Sequence, residues 1–447
     1  MDFKKEIVNI ISKELDINID KIEGLIEIPK NNDIGDYTLP CYYLINYINK
    51  KPNIIAKELK EKIKGEVFNK IECVGPYLNF FINKRILAKS IIEKILLERE
   101  DYGNSSIGVG KTICINYLNT NKFDGYNNNL ILEKVIGQSL YNLYKKQGYT
   151  VIKLDTIKKY SNKEMNILIN KLENRNLLVE SNHAKVVELK KFNMPPCILY
   201  DNRKYMYIAK EFVKLIESRR NYKYYKYIYI STIPQKIYYN QIVKVIELLD
   251  NKVSSEFVNI EVGRIKVKDE KFFSEESKRK SLERFHYSIR KRISVDKNFS
   301  KTIEDMINVF SLINYYRKND IEISISKMSL LEMEINRVLK YIYDEINYNK
   351  ERSFYINLDY NSINIDEETE LIKLLGRFED VINCAVKKGE PFIIITYIID
   401  IIKMFREVNA CFNINLLSEQ DKRYKLMIRI ATFQVVKNAF KLINIEV

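Results

Sequence analysis

Reactive sites are built mostly from histidine, cysteine, clustered carboxylates and glycine-rich loops, and this chain supplies few of them. Only two histidines occur, His183 and His286, so widely separated that no His-x-x-His or His-Glu-x-x-His motif can form locally. The cysteines Cys41, Cys73, Cys114, Cys197, Cys384 and Cys411 include no Cys-x-x-Cys pair and no cluster at zinc-ligand spacing. Reduced thiols in a cytoplasmic protein without a metal centre are the expectation. Ser106-Ile107-Gly108-Val109-Gly110-Lys111-Thr112 ends like a phosphate-binding loop, but Ser105 stands where the first glycine is required. The run also precedes a strand instead of following one, so a linker is the better reading.

Cations and aromatics offer a different chemistry. The chain has 447 residues and a formal net charge of +15, from 74 Lys and Arg against 59 Asp and Glu, which favours a polyanionic partner. On a helix, Lys278, Arg279, Lys280, Arg284, Arg290, Lys291 and Arg292 would form a phosphate-contacting face, with a merely solvated face as the equal alternative. The tyrosine-rich run 221–227 could stack bases between cations. A strand with its approach loop accounts for that run more simply.

The elements that must hold these residues can be read from periodicity. Phe3, Ile7, Ile10, Ile11, Leu15, Ile19 and Ile22 form one apolar stripe over residues 2–22. A helix over 53–64, strands over 67–73 and 77–83 joined at Gly75-Pro76, and a helix over 85–98 complete an α/β domain. Residues 101–110 are rich in turn formers and read as a linker. A strand at 112–117, a helix at 128–147 closed by Gly148 and a strand at 150–154 make a βαβ unit. Strands at 184–189, 197–200, 225–232 and 257–262, with helices at 209–219 and 235–249, extend it to a doubly wound domain. Beyond Lys271 the segments 275–292, 301–318, 325–348, 367–386, 390–412 and 418–443 read as a helical bundle. The expected class is α/β plus all-α, with domains over 1–105, 106–272 and 273–447. No apolar signal core opens the chain, and the run 392–404 is broken by Asp400 and Lys403, so no membrane segment is expected.

Several of these stretches together resemble arginyl-tRNA synthetase, a class I aminoacyl-tRNA synthetase, almost from end to end. Near the N-terminus the resemblance rests on Ile28-Pro29-Lys30, Gly35-Asp36-Tyr37 and Val74-Gly75-Pro76-Tyr77-Leu78-Asn79-Phe80-Phe81. It implies an accessory domain that contacts the tRNA elbow. Glu390-Pro391, Tyr397-Ile398-Ile399-Asp400, Phe405, Val408-Asn409, Ala431-Thr432 and Val435-Val436-Lys437-Asn438 resemble the helical anticodon-binding domain. Tyr341 and Tyr343 keep two aromatics of a family motif there, while Asp344-Glu345 replace its usual Ala-Arg. The partner this implies is tRNA, most directly an arginine acceptor, with arginine itself a possible ligand.

In the middle the resemblance is close in frame and poor in chemistry. Aligning Ile136-Gly137-Gln138-Ser139-Leu140 puts Asn127-Asn128-Asn129-Leu130 on the class I His-Ile-Gly-His tetrapeptide, so both imidazoles and the glycine are missing. Losing one such transition-state donor costs roughly 3 kcal/mol. Where a Lys-Met-Ser-Lys-like loop should follow Gly263, the chain reads Arg264-Ile265-Lys266-Val267-Lys268-Asp269-Glu270-Lys271. Between Leu154 and Tyr160 a family insertion with an Asp-Trp-Gly segment is absent, in agreement with the absence of Trp.

Positions that would hold the amino acid persist in part. Tyr207, Gln235 and Asn121 match the family, Glu211 replaces an aspartate, and Asn116 replaces a glutamate. Tyr207 and Glu211, four apart on a helix, could face a guanidinium, although structural inheritance is the favoured reading of this set. The chain by itself therefore favours a tRNA-binding, catalytically inactive paralogue that needs no cofactor. The alternative is an active arginine-tRNA ligase using ATP and Mg, and the third reading is an arginine- or tRNA-responsive regulator.

Overall fold

The computed structural model describes residues 3–29, 34–117, 128–154, 161–181, 183–232, 236–249, 256–262, 265–267, 321–323, 360, 368–410 and 418–445. The chain divides into two compact units. One comprises 1–102, 349–377 and 401–435, and the other 103–348, 378–400 and 436–447.

In the first unit, helices α1 (Phe3–Leu15) and α2 (Ile19–Glu23) replace the single stripe expected over 2–22. Asp16 takes a left-handed conformation (φ 54°), and the Asn18 side chain accepts the backbone N–H of Asp20 at 2.9 Å, capping α2. The apolar stripe survives this break because Phe3, Ile7, Ile11 and Ile22 share one core with Leu39, Leu78 and Phe80. Strand β1 (Tyr37–Pro40) pairs antiparallel with β3 (Tyr77–Ile82), and β3 with β2 (Phe68–Val74). Periodicity missed β1, a short strand that begins directly after Gly35-Asp36. Helix α3 (Pro52–Lys62) packs on this sheet, and α4 (Lys84–Glu98) starts where Asn83 accepts from the Arg85 and Ile86 amides. The Asp36 carboxylate accepts from the Ile82 amide at 2.8 Å and meets the Lys373 ammonium at 2.6 Å.

The second unit carries the parallel sheet. Strands β4 (Thr112–Asn116), β5 (Thr150–Leu154), β10 (Lys226–Thr232) and β11 (Phe257–Val262) lie in the order β11-β10-β4-β5, every neighbouring pair parallel. Ile113, Cys114 and Ile115 are consecutive and all buried, the mark of a strand covered on both faces. Helices α5 (Asn128–Lys146) and α8 (Lys236–Leu249) make the crossovers. Gly137 permits close packing of α5, because a Cβ there would lie 2.4 Å from the Tyr117 ring.

The strands expected at 184–189 and 197–200 do not join that sheet. β6 (Leu178–Ser181), β7 (Ala184–Val187), β8 (Cys197–Asp201) and β9 (Lys204–Tyr205) form a separate antiparallel sheet. The turn chemistry explains the error: Asn202 and Arg203 both have positive φ, and a two-residue turn of this kind joins antiparallel neighbours. His183, also at positive φ (66°), sits in the β6–β7 turn. Helix α6 (Asn162–Glu173) opens with a capping box between Ser161 and Glu164, and α7 (Tyr207–Tyr222) leads into β10. The tyrosine-rich run is the α7–β10 junction, with Tyr224 and Tyr227 buried and Lys223 a left-handed cap. The loop resembling a phosphate cradle packs on the end of α5, its Gly108 N–H bonded to the Gln147 carbonyl at 2.9 Å.

Beyond Lys271, the short strand Ile321–Ile323 pairs parallel with Ile265–Val267, an element the helical reading missed. The segment expected over 367–386 divides into α9 (Thr369–Gly376) and α10 (Phe378–Lys388), followed by α11 (Phe392–Ala410) and α12 (Glu419–Leu442). The segments 275–292, 301–318 and 325–348 lie outside the described residues. Among the described residues no helix is long and apolar enough to cross a membrane. The five described cysteines are all free.

Candidate functional site at the switch point of the parallel sheet

Ligands of open parallel sheets bind at the carboxyl edge where the strand order reverses direction. Here that point lies between β4 and β10: the chain runs from β4 outward to β5, then returns to build β10 and β11 on the other side. Asn116 is the last residue of β4 and stands opposite Tyr229 of β10. Helix α7 presents Tyr207, Glu211 and Lys214 at i, i+4 and i+7, one face by helical spacing.

These side chains form a connected polar network inside the fold. Asn116, Glu211 and Lys214 are all buried. The Asn116 amide donates to Glu211 Oε2 at 2.8 Å, and the Lys214 ammonium donates to Asn116 Oδ1 at 2.5 Å. Glu211 and Tyr229 lie close enough to the Tyr207 hydroxyl to act on its protonation. Burial first, and the Glu211 charge second, push the Tyr207 phenol well above its usual value. Tyr207 as a whole keeps 54% of its surface open, while its phenol group lies on the buried side with Glu211.

A second carboxyl joins the network from α5. Glu133 is buried at 4% exposure, and burial followed by the nearby Glu211 charge raises its pKa to about 8. Near neutral pH this carboxyl is therefore largely protonated.

Of the amino-acid-pocket residues read from sequence, the structure brings Asn116, Tyr207 and Glu211 together. Asn121, Gln235 and Asn127 lie outside the described residues. Asn128, Asn129 and Leu130 open α5. The cationic set Lys278, Arg279, Lys280, Arg284, Arg290, Lys291 and Arg292, with Tyr341 and Tyr343, also lies outside the described residues. Sequence reasoning missed Glu133 and Lys214. Lys214 had a usable signal, because it shares the helical face of Tyr207 and Glu211 among apolar neighbours. Glu133 had none, since a lone acid in a mixed helix is ordinarily solvated. Glu133, on another helix, brings a second carboxyl near Glu211. Among the described residues no three His, Cys, Asp or Glu side chains come together as a metal site.

Comparison with known proteins matches the chain in three segments. The arginyl-tRNA synthetase N-terminal domain model matches residues 1–82, the class I (R) catalytic domain model 158–345, and the DALR anticodon-binding domain model 335–447. The ranges leave 83–157 between the first two, the stretch containing β4, the start of α5 and the asparagine tetrapeptide. An arginine-tRNA ligase of Clostridium botulinum (strain Alaska E43 / Type E3) is 29% identical over 559 aligned positions, covering 100% of this chain and 99% of that protein. One of Clostridium beijerinckii is 27% identical with the same coverage. With 447 residues spread over 559 positions, 112 positions have no residue of this chain, which makes it a shortened relative. The fold is shared with the arginyl-tRNA synthetase of Thermus thermophilus, at a TM-score of 0.70 and 11% identity over 94% of this chain and 95% of that one. It is likewise shared with that of Plasmodium falciparum, at 0.70 and 12% over 99% and 98%. Accessory, catalytic and anticodon-binding segments follow one another in the family's order along the whole chain, and the chain belongs to the arginyl-tRNA synthetase family.

Proposed function

We propose that this protein binds tRNA and joins arginine to it in an ATP-dependent reaction, as an arginine-tRNA ligase with an altered amino-acid site. The observation that carries this reading is the end-to-end correspondence with proteins named arginine-tRNA ligase, across all three kinds of segment. It reverses the order favoured by the residues alone, which put an inactive paralogue first. In this proposal residues 1–105 and 273–447 grip the tRNA, with Lys278, Arg279, Lys280, Arg284, Arg290, Lys291 and Arg292 on its phosphates and Tyr341 and Tyr343 near the anticodon. Residues 106–272 hold the substrates. The network of Asn116, Tyr207, Glu211 and Glu133 takes the arginine side chain, two acidic groups and a phenol being suited to a guanidinium. ATP with Mg would supply the activated phosphate. The residues expected to handle it, Asn127 and those after Gly263, lie outside the described side chains, so no step is assigned to them.

A second reading, tRNA binding without ligation, is favoured by one specific feature. Asn127, Asn128, Asn129 and Leu130 stand on the charge-stabilising signature, and asparagine donates a hydrogen bond without carrying charge. Aminoacylation of total tRNA with labelled arginine separates the two: charged tRNA supports the first reading, while a mobility shift with tRNA and no charging supports the second. Absence of any preference for tRNA over random RNA at moderate salt would sink both.

A further inference from the structure

The cation that the switch-point carboxyls hold is already part of the chain. Lys214 is buried at 4% exposure and its ammonium donates to Asn116 Oδ1, while the other end of the same amide donates to Glu211. One asparagine thus mediates between a built-in ammonium and a buried carboxylate. An incoming guanidinium would need the same Glu211 oxygens and would add a positive charge beside Lys214. In a low-dielectric interior like charges this close oppose each other strongly.

We propose that Lys214 is a specificity-determining residue that occupies, as an internal cation, the position a cationic ligand side chain would take, so that arginine must compete with it. This rests on the reading of the network as the amino-acid site and deepens it. Two consequences follow from the charges alone. Removing the ammonium takes a positive charge from beside Asn116 and Glu211 and frees the Asn116 oxygen that it occupied. Free arginine can then enter with its guanidinium on Glu211 and Asn116, and Glu133 gives up its proton to solvent as a second cation-binding group.

The test is titration calorimetry of the full-length protein with arginine, comparing wild type with Lys214→Met. The expected result is weak or undetectable heat with wild type and an affinity at least about tenfold higher in the variant, equivalent to roughly 1.4 kcal/mol. A parallel arm uses Lys214→Ala with propylammonium, which replaces the severed side chain. Propylammonium should raise the thermal midpoint of this variant and leave wild type unmoved, a rescue that a merely space-filling lysine would not show. Equal arginine affinity in wild type and Lys214→Met, or tight binding by wild type alone, overturns the proposal. If neither variant folds, wild type decides: micromolar arginine binding contradicts an occupied site, and its absence supports one. The readout is binding, so failure of the ligase reading in a charging assay leaves it separately testable.

Discussion

Each unit sets a lysine beside a buried carboxylate, and the two arrangements differ. In the first unit Lys425 meets Glu368 directly at 2.6 Å, and Glu368 is 1% exposed. In the second unit the Lys214 ammonium donates to Asn116, whose amide donates in turn to Glu211, and a further carboxyl, Glu133, stands nearby with its proton retained. A direct pair is closed, because removing either partner strands the other. A bridged group with a protonated spare acid can rebalance its charge when a cation enters or leaves. The first is a direct ion pair, and the second is the network proposed above to take the arginine side chain.

The sharpest way to break this contrast is at Lys425. Lys425→Met should destabilise the protein by about 3 kcal/mol in chemical denaturation, the typical cost of leaving a buried charge unpaired, with no change in arginine binding. Lys214→Met should cost less, about 2 kcal/mol for a lost hydrogen bond to a charged group, and arginine should restore part of it. If arginine stabilises both variants equally, the contrast is empty.

A smaller effect concerns pH. The folded-state pKa of Glu133, about 8, lies above its ordinary value of 4.5, so the folded protein holds that proton more tightly than the unfolded chain. Its contribution is full below 4.5 and is lost as pH rises through about 8. Glu133→Gln keeps a neutral side chain at all pH values. Its stability advantage over wild type should therefore grow between about pH 5 and pH 9, by a kcal/mol or more, in melts across that range. A pH-independent difference would show that Glu133 does not titrate there. The least effect is expected at the Asp36–Lys373 pair, where both side chains keep some exposure. Lys373→Met should cost about 1 kcal/mol.

Much of the architecture was legible in the residues. The apolar stripe of the N-terminal helices, the βαβ unit around α5 and the helical periodicity from residue 367 on correspond to elements near their expected positions. What escaped was set by geometry that spacing does not encode. The Asp16 break in the first stripe depends on a single left-handed residue, and β1 is too short for alternation to register. The strands Ala184–Val187 and Cys197–Asp201 have the apolar character of sheet-core strands, and only the turn conformations at His183, Asn202 and Arg203 send them to an antiparallel sheet. At the site, Tyr207 and Glu211 could be paired from helical spacing alone. Asn116 could be placed near them only through the resemblance, and Glu133 comes from a different helix, a juxtaposition that only the tertiary fold creates.

The central claim, that this chain catalyses arginine-dependent chemistry on tRNA despite its altered signatures, is tested most directly by ATP-pyrophosphate exchange with saturating arginine and tRNA present. The account predicts slow exchange that requires arginine and that, in Lys214→Met, half-saturates at a lower arginine concentration. No arginine-dependent exchange at any arginine concentration, with or without tRNA, would contradict it.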